Sequence, residues 1–281
     1  MSLAPHPRTA TAEEAAEFWP AVRAERLFDS AEQFAAYRAA APWRVRVASR
    51  GEASVLGVWR AHLDVLAMRG VWGSAHDVGA FVDDAREVAR EIGLGRVLSP
   101  LLPLDLLGPY RREGLEVCER IVAMQGYPQT VLPAEPPAGA TLRPGAESDL
   151  EALVEIDAAS FPDFWVYRMP ELVEYARSER FGVAESAGGE VIGYTLATVS
   201  RGAATLGRLA VAPHARRQGL GRALVADVAR WSLREGAVTV SLCTQESNVA
   251  ARALYAAAGL REVTYAYGFA IGSAEAREGG A

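Results

Sequence analysis

The feature that most constrains this chain is the run Leu209-Ala210-Val211-Ala212-Pro213-His214-Ala215-Arg216-Arg217-Gln218-Gly219-Leu220-Gly221-Arg222-Ala223-Leu224. Residues 209–211 form a short apolar stretch suited to a strand, and Pro213 ends it. Leu220, Ala223, Leu224, Val228 and Trp231 then recur at helical spacing. A helix that starts at such a turn aims unpaired backbone N–H groups and the positive end of its dipole at one point, which is an anion site. Gly219 and Gly221 lack a Cβ, so the backbone can approach a bulky phosphate and take positive φ, while Arg216, Arg217 and Arg222 add charge. A pyrophosphate suits this arrangement better than a carboxylate.

The spacing separates the phosphate motifs. A P-loop needs Lys-Ser or Lys-Thr after its glycines, and the chain has no lysine at all. The dinucleotide fingerprint needs a third Gly or Ala where Leu224 stands. What remains is Arg-x-x-Gly-x-Gly, Arg216 to Gly221.

With these residues the chain resembles the GNAT acetyltransferase superfamily, whose signature is (Gln/Arg)-x-x-Gly-x-(Gly/Ala) directly after a central strand. A second segment carries the same resemblance: Ser247-Asn248-Val249-Ala250-Ala251-Arg252-Ala253-Leu254-Tyr255-Ala256-Ala257-Ala258-Gly259-Leu260, with Asn, then Ala-x-x-Leu-Tyr, then Gly-Leu. The likeness spans about residues 141–269. It implies that the backbone of Leu209, Ala210 and Val211 pairs with the pantetheine arm of acetyl-CoA. It also implies that the loop Arg216, Arg217, Gln218, Gly219, Leu220, Gly221 and Arg222 holds the pyrophosphate. Asn248 would hydrogen-bond the pantetheine and Tyr255 would act as general acid toward the departing thiolate. Asn248 equally reads as a helix cap, and Tyr255 as a buried tyrosine packing the last helix on the sheet. Acetyl-CoA is the implied co-substrate, and no metal is implied.

The first half reads as helices near residues 13–26 and 31–40, strands near 44–48, 55–59 and 65–68, a helix at 78–92 and a strand at 96–101. Three short matches point to an internal duplication: Val55-Leu56-Gly57-Val58 with Val191-Ile192-Gly193-Tyr194, Leu66-Ala67-Met68 with Leu209-Ala210-Val211, and Tyr110-x-x-x-Gly114-Leu115 with Tyr255-x-x-x-Gly259-Leu260. The first copy lacks Arg-x-x-Gly-x-Gly, so it is expected to be degenerate toward coenzyme, with Tyr110 a packing or surface aromatic. The expected fold class is α+β / α/β: two tandem GNAT-like domains, each a mixed, mostly antiparallel sheet flanked by helices, in a layout like that of the mycothiol synthases. Boundaries fall at 1–132 for the degenerate domain, 133–140 for a proline-rich linker and 141–281 for the catalytic domain. Residues 1–10 read as frayed and 272–281 as disordered.

In the second half a strand at 140–143 and a helix to about residue 159 precede Phe161, Phe164, Trp165 and Tyr167. In the superfamily this region lines the acceptor pocket, so Phe161, Phe164 and Tyr167 are candidate substrate contacts; core filling explains such aromatics equally well. Strands near 181–185, 191–199 and 204–212 follow. The base is not legible. The strand residues 204–208 supply no acid, and Cys243 stands where relatives that acetylate ribosomal-protein N-termini carry a glutamate. Glu246, Asp157 or a water chain could serve, and both acids also read as solvated surface carboxylates. Cys243, in an apolar run, reads as a buried, inert thiol.

A net charge of −6 argues against general nucleic-acid binding. Two cysteines give no disulfide framework, no apolar run is long enough to cross a membrane and no charged-then-apolar leader opens the chain, so a cytoplasmic protein is expected. No His or Cys cluster has metal-ligand spacing. The expected activity is acetyl-CoA-dependent N-acetyl transfer to a small-molecule or peptide amine by direct attack, with an acyl-CoA-binding sensor without turnover as the alternative. The sequence is silent on oligomeric state.

Overall fold

The computed structural model describes residues 6–275 except 26, 29, 49, 50, 61 and 179. The first half runs β1 (Arg8–Thr9), α1 (Ala12–Glu17), α2 (Trp19–Ala24), α3 (Ala31–Ala40), β2 (Val45–Val47), β3 (Ala53–Val58), β4 (Val65–Trp72), α4 (Val78–Glu91), β5 (Arg96–Leu98), β6 (Leu102–Pro103), α5 (Gly108–Arg112) and β7 (Glu116–Gly126). The second runs β8 (Ala140–Pro144), α6 (Leu150–Ser160), α7 (Met169–Ser178), β9 (Arg180–Ser186), β10 (Val191–Ser200), β11 (Ala203–Val211), α8 (Leu220–Arg234), β12 (Thr239–Gln245), α9 (Val249–Ala257) and β13 (Arg261–Ser273).

The chain divides into two compact units: residues up to 120 together with those from 267 on, and residues 121–266. This partition departs from one drawn at the proline-rich connector, which lies inside the second unit. In the first unit the strand order is β1-β2-β3-β4-β5, closed by residues 271–273 of β13 antiparallel to β5, with residues 267–268 pairing β6. In the second it is β8-β9-β10-β11-β12, closed by residues 121–126 of β7 antiparallel to β12. Among the described residues one neighbouring pair in each unit is parallel, β4 with β5 and β11 with β12. Each is the expected mixed, mostly antiparallel sheet with helices against it.

Local chemistry accounts for the elements. Thr11 and Glu14 form a capping box that starts α1. The single helix expected over 13–26 is broken at Phe18, because Pro20 has no N–H to continue the ladder and sits instead in the first turn of α2. On α4, Val78, Phe81, Val82, Ala85, Val88 and Ala89 form the buried stripe, packed with Leu66, Met68 and Val97 of the sheet. Arg8 and Thr9 pair with Val47 and Arg46, so part of the segment expected to fray is ordered. Gly272 and Ser273 lie in β13 rather than in a disordered tail. Ala10 and Ala274 are buried as well, and residues 1–5 and 276–281 fall outside the described residues.

The two units repeat one design. Tyr110 and Tyr255 are both buried, and each carbonyl accepts the N–H five residues on, Leu115 at 3.2 Å and Leu260 at 3.0 Å, across a glycine with positive φ. The strand matches are out of structural register. The pairing of β3 with β4 skips Arg69, and that of β10 with β11 skips Gly207, a bulge in the same hairpin of each unit. Leu66, Ala67 and Met68 precede their bulge, whereas Leu209, Ala210 and Val211 follow theirs. Short apolar triplets match at more than one offset, so they do not fix the register between the two units.

Candidate coenzyme and acceptor site

The site is built where two parallel strands separate. β11 pairs with β12 at Ala203↔Thr239, Ala204↔Val240 and Thr205↔Ser241 and no further. Beyond the bulge at Gly207, β12 is held on its other edge by β7, from Val240↔Gly126 to Gln245↔Ile121. The edge of residues 208–211 toward β12 therefore has no strand beside it. Such an edge offers amide groups to an extended ligand. Leu209, Ala210 and Val211 line a cavity of about 590 Å³ there, together with Asn248 and with Ala251 and Leu254 of α9.

One end of the cavity is the start of α8. Gly219 caps the helix at φ +91°, Arg217 lies at φ +66°, and Arg222 and Ala223 donate their N–H groups to the Gly219 carbonyl at 3.0 and 3.2 Å. The N–H groups of Gly219, Leu220 and Gly221 have no backbone acceptor among the described residues. Their residues differ in role. Gly219 supplies the left-handed turn. A Cβ on Gly221 would lie 3.1 Å from Leu254 Cδ2, so its bareness lets α8 and α9 approach. Leu220 is buried in the core and presents only its backbone. A side chain at Gly219 costs about 1–2 kcal/mol in this conformation. Gly219→Ala is therefore expected to leave the anion-binding turn and weaken acetyl-CoA binding by about tenfold in calorimetry; undiminished affinity would show that these N–H groups hold no phosphate.

The cations divide likewise. Arg216 is committed to the scaffold, donating from Nε to the Val211 carbonyl at 2.9 Å and from Nη2 to Ser160 Oγ at 2.9 Å and the Ala159 carbonyl at 3.3 Å. Gln218 turns back to the His214 carbonyl at 3.2 Å. Arg217 and Arg222 line the cavity, are exposed, and make no ion pair among the described residues. They are the charges left for an anion. In the first unit, α4 begins instead at Asp77, whose carboxylate accepts from Ser74 N and Oγ, each at 2.7 Å. A built-in negative charge at that helix start disfavours a phosphate, in keeping with a degenerate first copy.

Beside the cavity lies a buried polar cluster that the sequence reading missed. Arg208 follows the bulge and is 7% exposed; it meets Asp157 side-on, Nε to Oδ2 at 2.8 Å and Nη2 to Oδ1 at 2.7 Å. Asp157 also accepts the Tyr194 hydroxyl and the Tyr167 N–H, and Arg208 Nη2 donates to the Trp165 carbonyl at 2.8 Å. The guanidinium carbon lies 3.4 Å from the Phe161 ring centre and 4.1 Å from that of Tyr167. Asp157 is thus neither a surface acid nor an available base: it is fully buried and occupied by four donors. Phe161 lines the cavity, Tyr167 covers Arg208, and Phe164 packs edge-on against Trp165 at 5.2 Å, away from the cavity wall. The detectable signal was a lone arginine interrupting the apolar strand before Leu209.

Asn248 caps α9, its Oδ1 accepting from Ala251 N at 3.1 Å, and it also lines the cavity, with its amide NH₂ left for a ligand. Tyr255, one residue past the cavity-lining Leu254, is buried among Met124, Val225 and Leu242. It does not line the cavity itself. Its hydroxyl bonds to no protein group among the described residues and keeps an accessible edge. Burial pushes its pKa up to about 12, partly offset by the charge of Arg208. Cys243 is exposed on β12 rather than buried, and desolvation by its neighbours raises its thiol pKa. Its side chain falls on the strand face opposite Val240, Leu242 and Thr244, which are the buried positions. Glu246 does not line the cavity. No group of metal-binding side chains occurs among the described residues.

Residues 150–260 match the Acetyltransferase (GNAT) family. That segment runs from α6 through α9. Over nearly its whole length the chain shares its fold with a GCN5-related N-acetyltransferase from Sphaerobacter thermophilus, at TM-score 0.71 and 20% identity, covering 96% of this chain and 95% of that one. It shares it equally with a tandem GNAT protein from the clavulanic acid biosynthesis pathway, solved without AcCoA, at TM-score 0.70 and 19% identity over 96% and 98%. A GCN5-related N-acetyltransferase from Kribbella flavida aligns at TM-score 0.58 and 16% identity over 78% and 86%. The protein has the tandem GNAT fold. No curated protein sequence matches it.

Proposed function

We propose that residues 121–266 form an acetyl-CoA-dependent N-acetyltransferase whose acceptor is an amine. The observation that carries this reading is the single cavity wall running from the α8 turn to the unpaired edge of β11. An anion cradle at one end and free strand amides along the side fit a pyrophosphate joined to an amide-bearing arm. Acetyl-CoA supplies the activated acetyl group as a thioester. The N–H groups of Gly219 to Gly221 with Arg217 and Arg222 would hold its phosphates, and Leu209, Ala210, Val211 and Asn248 its arm. Tyr255 holds a proton on its phenol oxygen for the departing sulfur, while the attacking nitrogen loses one to solvent. No carboxylate lines the cavity among the described residues, so the acceptor enters as the neutral amine.

That same lack of a carboxylate favours a second reading, an acyl-CoA-binding sensor without turnover. Titration with acetyl-CoA, followed by thiol release across a panel of amines, separates the two. Binding with amine-dependent release is expected. Binding without release supports the sensor, and absence of binding overturns both. Nucleic acid and membrane are not expected partners; no described helix is long and apolar enough to cross a membrane.

A further inference from the structure

We propose that Arg208 is the anion anchor of the acceptor site, selecting amines that carry a carboxylate, as free amino acids do, over simple amines and peptide N-termini. The inference rests on the transferase reading above and narrows its acceptor. Arg208 is buried on nearly every side. Its faces are covered by the Phe161 and Tyr167 rings, its Nε–Nη2 edge by Asp157, and the remaining Nη2 hydrogen by the Trp165 carbonyl. Nη1 alone has no acceptor among the described residues and stays accessible. An accessible, unpaired nitrogen on an arginine only 7% exposed is a place where a ligand can supply the acceptor.

Arg208 is not itself a lining residue of the cavity but adjoins two that are. The ring of Phe161 bears on Arg208 and also lines the cavity, and the next residue, Leu209, lies in the cavity wall. The α8 turn has its own cations in Arg217 and Arg222, so the phosphates do not need Arg208. Because Asp157 already neutralises the guanidinium, the open nitrogen suits a singly charged carboxylate accepting one or two hydrogen bonds rather than a phosphate dianion. No lining carboxylate competes for it. A carboxylate bound there leaves the amine of the same molecule free for the thioester carbon.

The test uses the full chain saturated with CoA. Glycine, L-alanine, L-phenylalanine and L-lysine are titrated calorimetrically against methylamine, ethylamine, 2-phenylethylamine and 1,5-diaminopentane, and each pair is then assayed for thiol release with acetyl-CoA. At least one amino acid is expected to exceed its decarboxylated partner by about 10- to 100-fold in affinity and in kcat/KM, the range for hydrogen bonds to a charged group. Arg208→Gln combined with Asp157→Asn removes both charges together, so neither is left alone in the interior. This pair of changes should bring the ratio close to unity while acetyl-CoA affinity is kept. Equal or better binding of the simple amines, a ratio that survives in the double variant, or no binding of either class overturns the inference. Thiol release indifferent to the carboxylate does so while leaving the transferase reading standing. Failure to bind acetyl-CoA removes both.

Discussion

Tyr255→Phe is expected to lower kcat by about 10²- to 10⁴-fold, the range for a positioned general acid, with acetyl-CoA affinity nearly unchanged. The substitution removes one oxygen from a side chain that belongs to the same buried cluster as Met124, Val225 and Leu242, so the fold has little reason to respond. The hydroxyl hydrogen-bonds to no protein group among the described residues, and its loss leaves no orphaned partner among them. A merely structural tyrosine would show the reverse pattern, with unchanged turnover. The pH profile sharpens the test. A phenol whose pKa is pushed up to about 12 stays protonated through the range in which an alkylamine near 10.4 becomes neutral. The wild-type rate should therefore climb from pH 7 to about 10 with no falling limb from this acid, and the variant should climb in parallel at a lower level. A descending limb below pH 10 that vanishes in the variant would contradict the assigned pKa.

The largest loss of stability is expected from Asp157→Ala. It strips Arg208, Tyr194 and the Tyr167 N–H of their common acceptor and leaves a guanidinium buried without its partner. Breaking a buried pair from one side costs about 3–5 kcal/mol, which for a unit of this size lowers Tm by on the order of 10 °C. Asp157→Asn combined with Arg208→Gln should recover much of that loss, because the lone charge is what makes the single change severe. Melting curves of the three proteins decide it. A shift of only a degree or two for Asp157→Ala would mean that the guanidinium is compensated without its carboxylate partner.

These two residues also show what the sequence could and could not convey. The turn from Arg216 to Gly221 was legible because its requirements are local. A helix start needs bare backbone, a positive φ falls to Gly219, and adjacent charge can be seen in a line of text. Gly219 and Gly221 nevertheless act differently, one for its φ and one for its closeness to Leu254, a difference that spacing does not encode. The partnership of Asp157 with Arg208 joins a helix to a strand far along the chain. Nothing near either residue announces the other, so Asp157 read as a surface acid. Cys243 was misjudged for a related reason. An apolar run in a strand buries alternate residues only, and the phase of that alternation is set by neighbouring strands. The duplication was recognisable at the helix ends, where Tyr110 and Tyr255 make the same bond, and slipped in the strands, where short apolar runs match at more than one offset. The outlying strands β7 and β13 escaped notice because their partners lie in distant parts of the sequence.

Closing the first unit's sheet with residues 267–273 has a consequence in time. On a ribosome making about 5–20 residues per second, β5 and β6 emerge well before the segment that pairs with them, with the entire second unit synthesised in between. For on the order of ten seconds the newborn first unit carries an open strand edge that its own chain cannot yet cover. The second unit, complete by residue 266, is the part able to finish folding first, although its sequence comes second.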